Sequence, residues 1–144
     1  MQRISKLGAQ AVLEKYGRSY LLSLVRSYRL NNPSNLEQKV EKVIAALAPK
    51  LNFEWEREYQ WIGASESHWL LDFLIYLNGE EVAIEINGSY YHSQPDRIRK
   101  DKLKAIDAGM RFDRYIVITE EQLNEQQDLE AYILQRITTN EMEE

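Results

Sequence analysis

Asp72 and Glu85 lie in apolar, strand-like runs on either side of Asn78-Gly79. Asn-Gly between two such runs is the leading signal for a two-residue hairpin of type I′. With Asn78 and Gly79 as the turn, Leu77 lies opposite Glu80, and counting back along both arms places Asp72 opposite Glu85. Opposed residues of an antiparallel pair share a face, with Cβ atoms about 4.5–5.5 Å apart. Like charges so placed destabilise a sheet unless a cation, a basic partner or a shifted pKa relieves them. A divalent metal is the economical explanation, and oxygen ligands without a cysteine favour Mg²⁺ over zinc. A four-residue loop would pair Asp72 with Asn87 instead. A carboxylate pointing into solvent at a sheet end would need no partner.

Other groups follow closely. Asn87 and Gly88 end the second arm, and His92 comes soon after, within reach of the acids. A histidine titrates near neutrality and suits a proton shuttle. Asp101 stands on the next, basic helix. His68, at the entrance of the preceding strand, is read as non-catalytic. Glu37 has a structural explanation of its own. Ser34-Asn35-Leu36-Glu37 fits a capping box, in which serine and glutamate bond each other's backbone N–H.

The elements that must position these residues are legible from periodicity. Residues 1–30 read as two helices, with Ile4, Leu7 and Ala11 in one and Leu21, Leu24, Val25 and Tyr28 in the other. Gly17 between them reads as a left-handed cap, and Asn31-Asn32-Pro33 breaks the pattern. A third helix opens at Ser34, carries the stripe Leu36, Val40, Val43, Ile44 and Leu47, and ends at Pro49. Residues 53–61 alternate as a half-buried strand. Phe53, Trp55, Tyr59 and Trp61 face one way, and Glu54, Glu56, Glu58 and Gln60 the other. In the hairpin, Trp69, Leu71, Phe73, Ile75, Val82, Ile84 and Ile86 form the expected core face. A basic helix from Ser93 to about Gly109 carries the apolar positions Ile98, Leu103, Ala105 and Ile106. Tyr115–Ile118 is a short strand, and Thr119 caps one last acidic helix with Leu129, Tyr132, Ile133 and Ile137 as its apolar positions. A helix between the third and fourth strands implies a mixed sheet flanked by helices.

Composition sets the class. The chain has 144 residues, 44% hydrophobic and 28% charged, which is ordinary for one globular domain and excludes collagen-like or fully disordered readings. No apolar run has the length of a membrane span and no segment reads as a signal peptide, so no membrane partner is expected. With no cysteine, disulfides, thiolate zinc sites and a cysteine nucleophile are excluded, which fits a cytoplasmic location. The net charge of −5 hides an uneven distribution. Residues 119–144 hold eight acids and one base, residues 1–30 six bases and one acid, and residues 93–114 seven bases and four acids. Basic segments of this kind suit phosphate contacts, although solvated helix faces look the same.

The combination resembles the PD-(D/E)xK nuclease superfamily, and more closely its branch of very-short-patch-repair-like and E-D-x-H-D phage homing endonucleases. The matching string is Glu37 on a helix, Asp72-Phe73 on a strand, Val82-Ala83-Ile84-Glu85-Ile86-Asn87-Gly88 on the next, then His92, then Asp101 with Lys104 in a helix ending at Gly109. It covers roughly residues 34–120 of the chain. The resemblance implies an α/β fold. Its mixed four-stranded sheet has an αβββαβ nuclease core, preceded by short N-terminal helices and followed by a C-terminal helix. Residues 1–32 would form a basic helical segment and residues 33–144 the nuclease domain.

The resemblance also implies roles. Asp72 is similar to the central metal-binding aspartate, Glu85 fills the acidic position of the (D/E)-x-K element, and Glu37 resembles the helix glutamate that helps hold the metal or its water. His92 resembles the general acid or base of this branch, and Asp101 the last aspartate of its signature. Mg²⁺, with Mn²⁺ as a substitute, would be held by Asp72, Glu85, Glu37 and the Ile86 carbonyl. Arg97, Arg99, Lys100, Lys102 and Lys104, with Lys6 and Arg18, would contact double-stranded DNA. A double-strand break would call for a homodimer.

Two departures stand out. Asn87 occupies the place of the superfamily lysine and supplies no cation. The zinc-binding cysteines and the first histidine of the short-patch-repair enzymes are missing. The expected activity is metal-dependent DNA endonuclease, of a phage or mobile element. The alternatives are a non-catalytic DNA-binding or assembly protein that keeps the fold, and an RNA-processing nuclease.

Overall fold

The computed structural model describes residues 17–88 and 95–139. Helix α1 (Arg18–Asn31) begins after Gly17, whose φ of 88° favours glycine. Gly17 therefore serves as the N-cap of α1, with an extended ψ of 175° rather than the expected left-handed cap. Helix α2 (Asn35–Leu51) follows, capped by the Ser34 hydroxyl, which accepts from Glu37 N–H. Contrary to expectation, α2 does not end at Pro49. It runs one turn further to Asn52, which takes the left-handed conformation and donates its N–H to the Ala48 carbonyl. A proline in a last turn removes a single donor, the N–H that would bond the Ala45 carbonyl, so the turn can still close around it.

Strands β1 (Glu54–Ile62), β2 (His68–Leu77) and β3 (Glu80–Asn87) form an antiparallel meander, and β4 (Arg114–Thr119) pairs in parallel with β3 after helix α3 (Pro95–Arg111). The sheet order is β1-β2-β3-β4. The hairpin is as the sequence predicts. Asn78 and Gly79 have φ of 53° and 80°, the two positive values of a type I′ turn, and Leu77 pairs with Glu80. After β4 the chain forms two helices, where the sequence suggests one. Helix α4 (Glu120–Asn124) carries a capping box between Thr119 and Gln122, and α5 (Leu129–Thr138) starts afresh on the Asp128 cap. A second capping residue, Asp128, gives the chain a new start. Among the described residues, no helix is long and apolar enough to cross a membrane.

The core has two parts. Val40, Ile44 and Leu47 of α2, and Ile133 and Ile137 of α5, pack on Phe73, Ile75, Val82, Ile84, Ile116 and Ile118. On the other side, Ala108 and Phe112 pack on Trp61, Leu71, Leu74 and Ala83. This division corrects the simple alternation expected of β1 and β2. Phe53 and Trp55 join the first cluster, whereas Tyr59 and Trp61 join the second. On β2, Phe73 and Ile75 join the first, and Trp69 and Leu71 the second. Both strands change phase at one level, marked by Glu58 and Asp72. On β1 the cause is local, since Glu58 has a φ of 51° in the middle of a strand.

Helix α3 also inverts an expectation. Ile98, Leu103, Ile106 and Met110 are exposed, while Asp107 and Ala108 are buried. The facing surface explains this, because it presents polar groups: the Glu85 carboxylate, the Trp69 indole N–H and Ser65. The helix answers with Lys104 and Asp107. Asp107 accepts from Ser65 N–H at 3.2 Å, the Ser65 hydroxyl at 2.5 Å and Trp69 Nε1 at 2.7 Å. Gly63 is needed here, because a Cβ would overlap the Asp107 carboxylate.

Candidate functional site

The register of the meander builds the site. Arg57 pairs with Phe73 and Tyr59 with Leu71, so Glu58 falls opposite Asp72. Phe73–Ile84 is the last pair of the β2–β3 ladder, and beyond it Asp72 and Glu85 are joined through side chains. Three carboxylates therefore stand at one level on three adjacent strands. Side chains tie that level together. Asp72 Oδ2 accepts from Ile86 N–H at 2.7 Å, and Glu85 Oε1 accepts from Asp72 N–H at 3.3 Å. Lys104 reaches in from α3, where its ammonium donates to Glu85 Oε2 and to the Leu70 carbonyl at 2.5 Å.

Helix α2 contributes Glu37 from its first turn. The reciprocal capping box expected there is half formed. Ser34 accepts from Glu37 N–H, but the serine hydroxyl also donates to Glu37 Oε1 at 3.2 Å. Glu37 Oε2 is left without a hydrogen bond, 3.8 Å from Arg57 Nη2. One oxygen each of Glu37, Glu58 and Asp72 lie within 4.8 Å of one another. Arg57 donates to the Arg29 and Leu30 carbonyls at the end of α1, and Arg26 Nε donates to the Glu58 carbonyl at 2.7 Å. Helix α1 is thus bonded to β1 beside the site, and it sets Arg29 Nη1 3.5 Å from Glu58 Oε2.

Burial shapes the electrostatics. Glu58 is fully buried, and desolvation followed by the adjacent Asp72 charge pushes its pKa up to about 8 against the pull of Arg29. Desolvation also raises Asp72, opposed by the Ile86 N–H and by Lys104. Lys104 is lowered to about 8 by desolvation, although Asp72 and Glu58 favour its charge. The level is crowded with acids that the surrounding bases only partly relieve.

Of the residues expected at the site, Asp72 meets Glu37, and Glu85 is joined to Asp72 through the Asp72 N–H. Ile86 takes part through its N–H on Asp72, and Asn87 ends β3 opposite Thr119. Asp101 is half-buried on α3, with Arg97 Nε at 3.8 Å. Arg97, Arg99, Lys100 and Lys102 lie exposed on α3, with Arg99 bonded to Asp96. Arg18 is exposed at the start of α1. Lys104 is turned inward from that surface. His92 and Lys6 lie outside the described residues.

Sequence reasoning missed Glu58, Arg29 and the inward course of Lys104. Glu58 occupies what reads as the solvent phase of an alternating strand. Only the β1–β2 register, which no short turn signals, places it beside Asp72.

The donor set suits a hard divalent cation. It consists of carboxylate oxygens, and Glu37 Oε2 with both oxygens of Glu58 are buried without a hydrogen-bond donor. No protein-family model and no curated protein matches this chain.

Proposed function

We propose that the chain is a metal-dependent DNA endonuclease that hydrolyses phosphodiester bonds of double-stranded DNA in the cytoplasm. The observation that supports this reading is the meeting of Asp72 and Glu37 with Glu58, with Glu85 and Lys104 bonded to each other beside Asp72. Asp72 and Glu37 would hold Mg²⁺, which supplies Lewis-acid polarisation of a phosphodiester oxygen and acidifies bound water. Asp72 is held in orientation by the Ile86 N–H. Glu85 fixes Lys104, and the ammonium has three donors, of which Glu85 and the Leu70 carbonyl take two. The third is available for a phosphate oxygen, which supplies the cation that Asn87 cannot. His92 would exchange the proton with the attacking water or the leaving oxygen. Lys100 and Lys102, with Arg97 and Arg99, would contact the DNA backbone.

The test is nicking of supercoiled plasmid with and without Mg²⁺ or Mn²⁺, beside Asp72→Ala and His92→Ala. Metal-dependent nicking lost in both folded variants is the expected result. Nicking that survives Asp72→Ala would refute the assignment. The second reading, a non-catalytic DNA-binding or assembly protein on the same fold, is favoured by Asn87. It predicts DNA binding with no cleavage by the folded wild type under any metal.

A further inference from the structure

Glu58 combines two unfavourable features in one residue. A non-glycine residue with positive φ costs about 1–3 kcal/mol, and φ here is 51°. A buried acceptor without a donor costs roughly 1–3 kcal/mol, and more when charged. Neither carboxylate oxygen of Glu58 accepts a hydrogen bond from an N–H donor, its neighbours being Arg29 at 3.5 Å and the Glu37 carboxyl, and the side chain is completely buried. Its backbone, by contrast, is held, since Arg26 bonds its carbonyl. The strand is thus turned over at this residue, and its carboxyl is aimed at Glu37 and Asp72. Glu85 is in the opposite condition. One oxygen carries Lys104 and the other carries the Asp72 N–H.

We infer that Glu58 is a direct ligand of the divalent cation, shared with Asp72 and Glu37, while Glu85 acts through Lys104 and stands outside the ligand set. This rests on the reading that the site takes a divalent cation, and it changes which acids hold it. Oxygens on opposite sides of a Mg²⁺ ion are about 4.2 Å apart, and somewhat more for larger ions. The 4.8 Å span of the three oxygens closes onto such an ion with side-chain shifts of roughly half an ångström. Arg29, in ion-pair contact with Glu58, offsets part of the negative charge of the three acids.

The experiment is calorimetric titration of Mn²⁺ into the metal-free protein, comparing wild type with Glu58→Gln and Glu85→Gln, each checked for folding by circular dichroism. Glu58→Gln is expected to lose at least about tenfold in affinity, as removal of a charged ligand does, and to lose more than Glu85→Gln. Wild-type affinity in folded Glu58→Gln overturns the inference and leaves the cation reading standing. No Mn²⁺ binding by the wild type overturns both. Should Glu58→Gln not fold, the ¹³C carboxyl signal of Glu58 in the labelled wild type decides. A shift on saturation with Mg²⁺ larger than that of Glu85 supports ligation, and an unmoved signal refutes it.

Discussion

Asp107 and Glu58 are both buried acids, and they are treated in opposite ways. Asp107 receives three hydrogen bonds from Ser65 and Trp69. Burial alone would raise its pKa, but those donors outweigh it and hold the carboxyl below its usual range. Glu58 has no N–H donor on either oxygen; desolvation, the adjacent Asp72 charge and the neighbouring Glu37 carboxyl push it up to about 8 against the pull of Arg29. The first arrangement fastens the β1–β2 loop to α3. The second leaves both Glu58 oxygens without an N–H donor. A buried acid that receives its hydrogen bonds needs no further partner, whereas one that does not calls for an explanation, which here is the proposed cation.

The contrast breaks most sharply in activity. Asp72→Asn should abolish metal-dependent nicking while leaving the circular dichroism unchanged, and Asp107→Asn should leave nicking per folded molecule intact. Loss of nicking in both would erase the distinction. In stability the order reverses. Asp107→Ala strands the Ser65 and Trp69 donors and should cost about 3 kcal/mol in urea denaturation. Gly63→Ala, which drives a methyl into the same carboxylate, should cost roughly 1–3 kcal/mol. Glu58→Gln should go the other way and raise the stability of the metal-free protein by about 1 kcal/mol. An amide is neutral without the proton that Glu58 must take up on folding between about pH 4.5 and 8, and it can donate to its acidic neighbours.

The dependence on pH sharpens the same comparison. Glu58 binds its proton up to about pH 8 when folded, against an ordinary value of 4.5. Its contribution to stability is fully present below about 4.5 and is lost as the pH rises through about 8, with a slope of at most about 1.4 kcal/mol per pH unit. Asp107 has the opposite sign. Its contribution is present above the ordinary value of 3.8 and is lost as the pH falls below it. Stability measured from pH 4.5 to 8 should therefore flatten in Glu58→Gln and keep its slope in Asp107→Asn. An unchanged slope in Glu58→Gln would remove Glu58 as the source.

Much of the fold was legible because local rules and tertiary packing agree. Asn78-Gly79 set the hairpin register, and with it the pairing level of Asp72 and Glu85. The capping residues Ser34 and Thr119 marked helix starts that the structure keeps. What was hidden depended on contacts distant in sequence. Nothing local distinguishes Glu58 from Glu54 or Glu56 until β1 is laid on β2 and the strand turns over. The periodicity of α3 suggested an apolar inner face, yet Lys104 and Asp107 face inward because the surface they meet carries Glu85, Ser65 and the Trp69 N–H. Pro49 looked like a helix end, yet the turn closes beyond it with the Asn52 N–H on the Ala48 carbonyl.

The most direct test of the open carboxylate level is thermal unfolding with EDTA and with saturating Mn²⁺, for wild type, Asp72→Asn and Asp107→Asn. Ligand at about 100 times its Kd stabilises the folded state by about 2.7 kcal/mol, or roughly 5–10 °C for a chain of this size. The account predicts that shift in wild type and in Asp107→Asn, and its loss in Asp72→Asn. A wild type whose melting temperature ignores Mn²⁺, or an Asp72→Asn variant that shifts as wild type does, would contradict it.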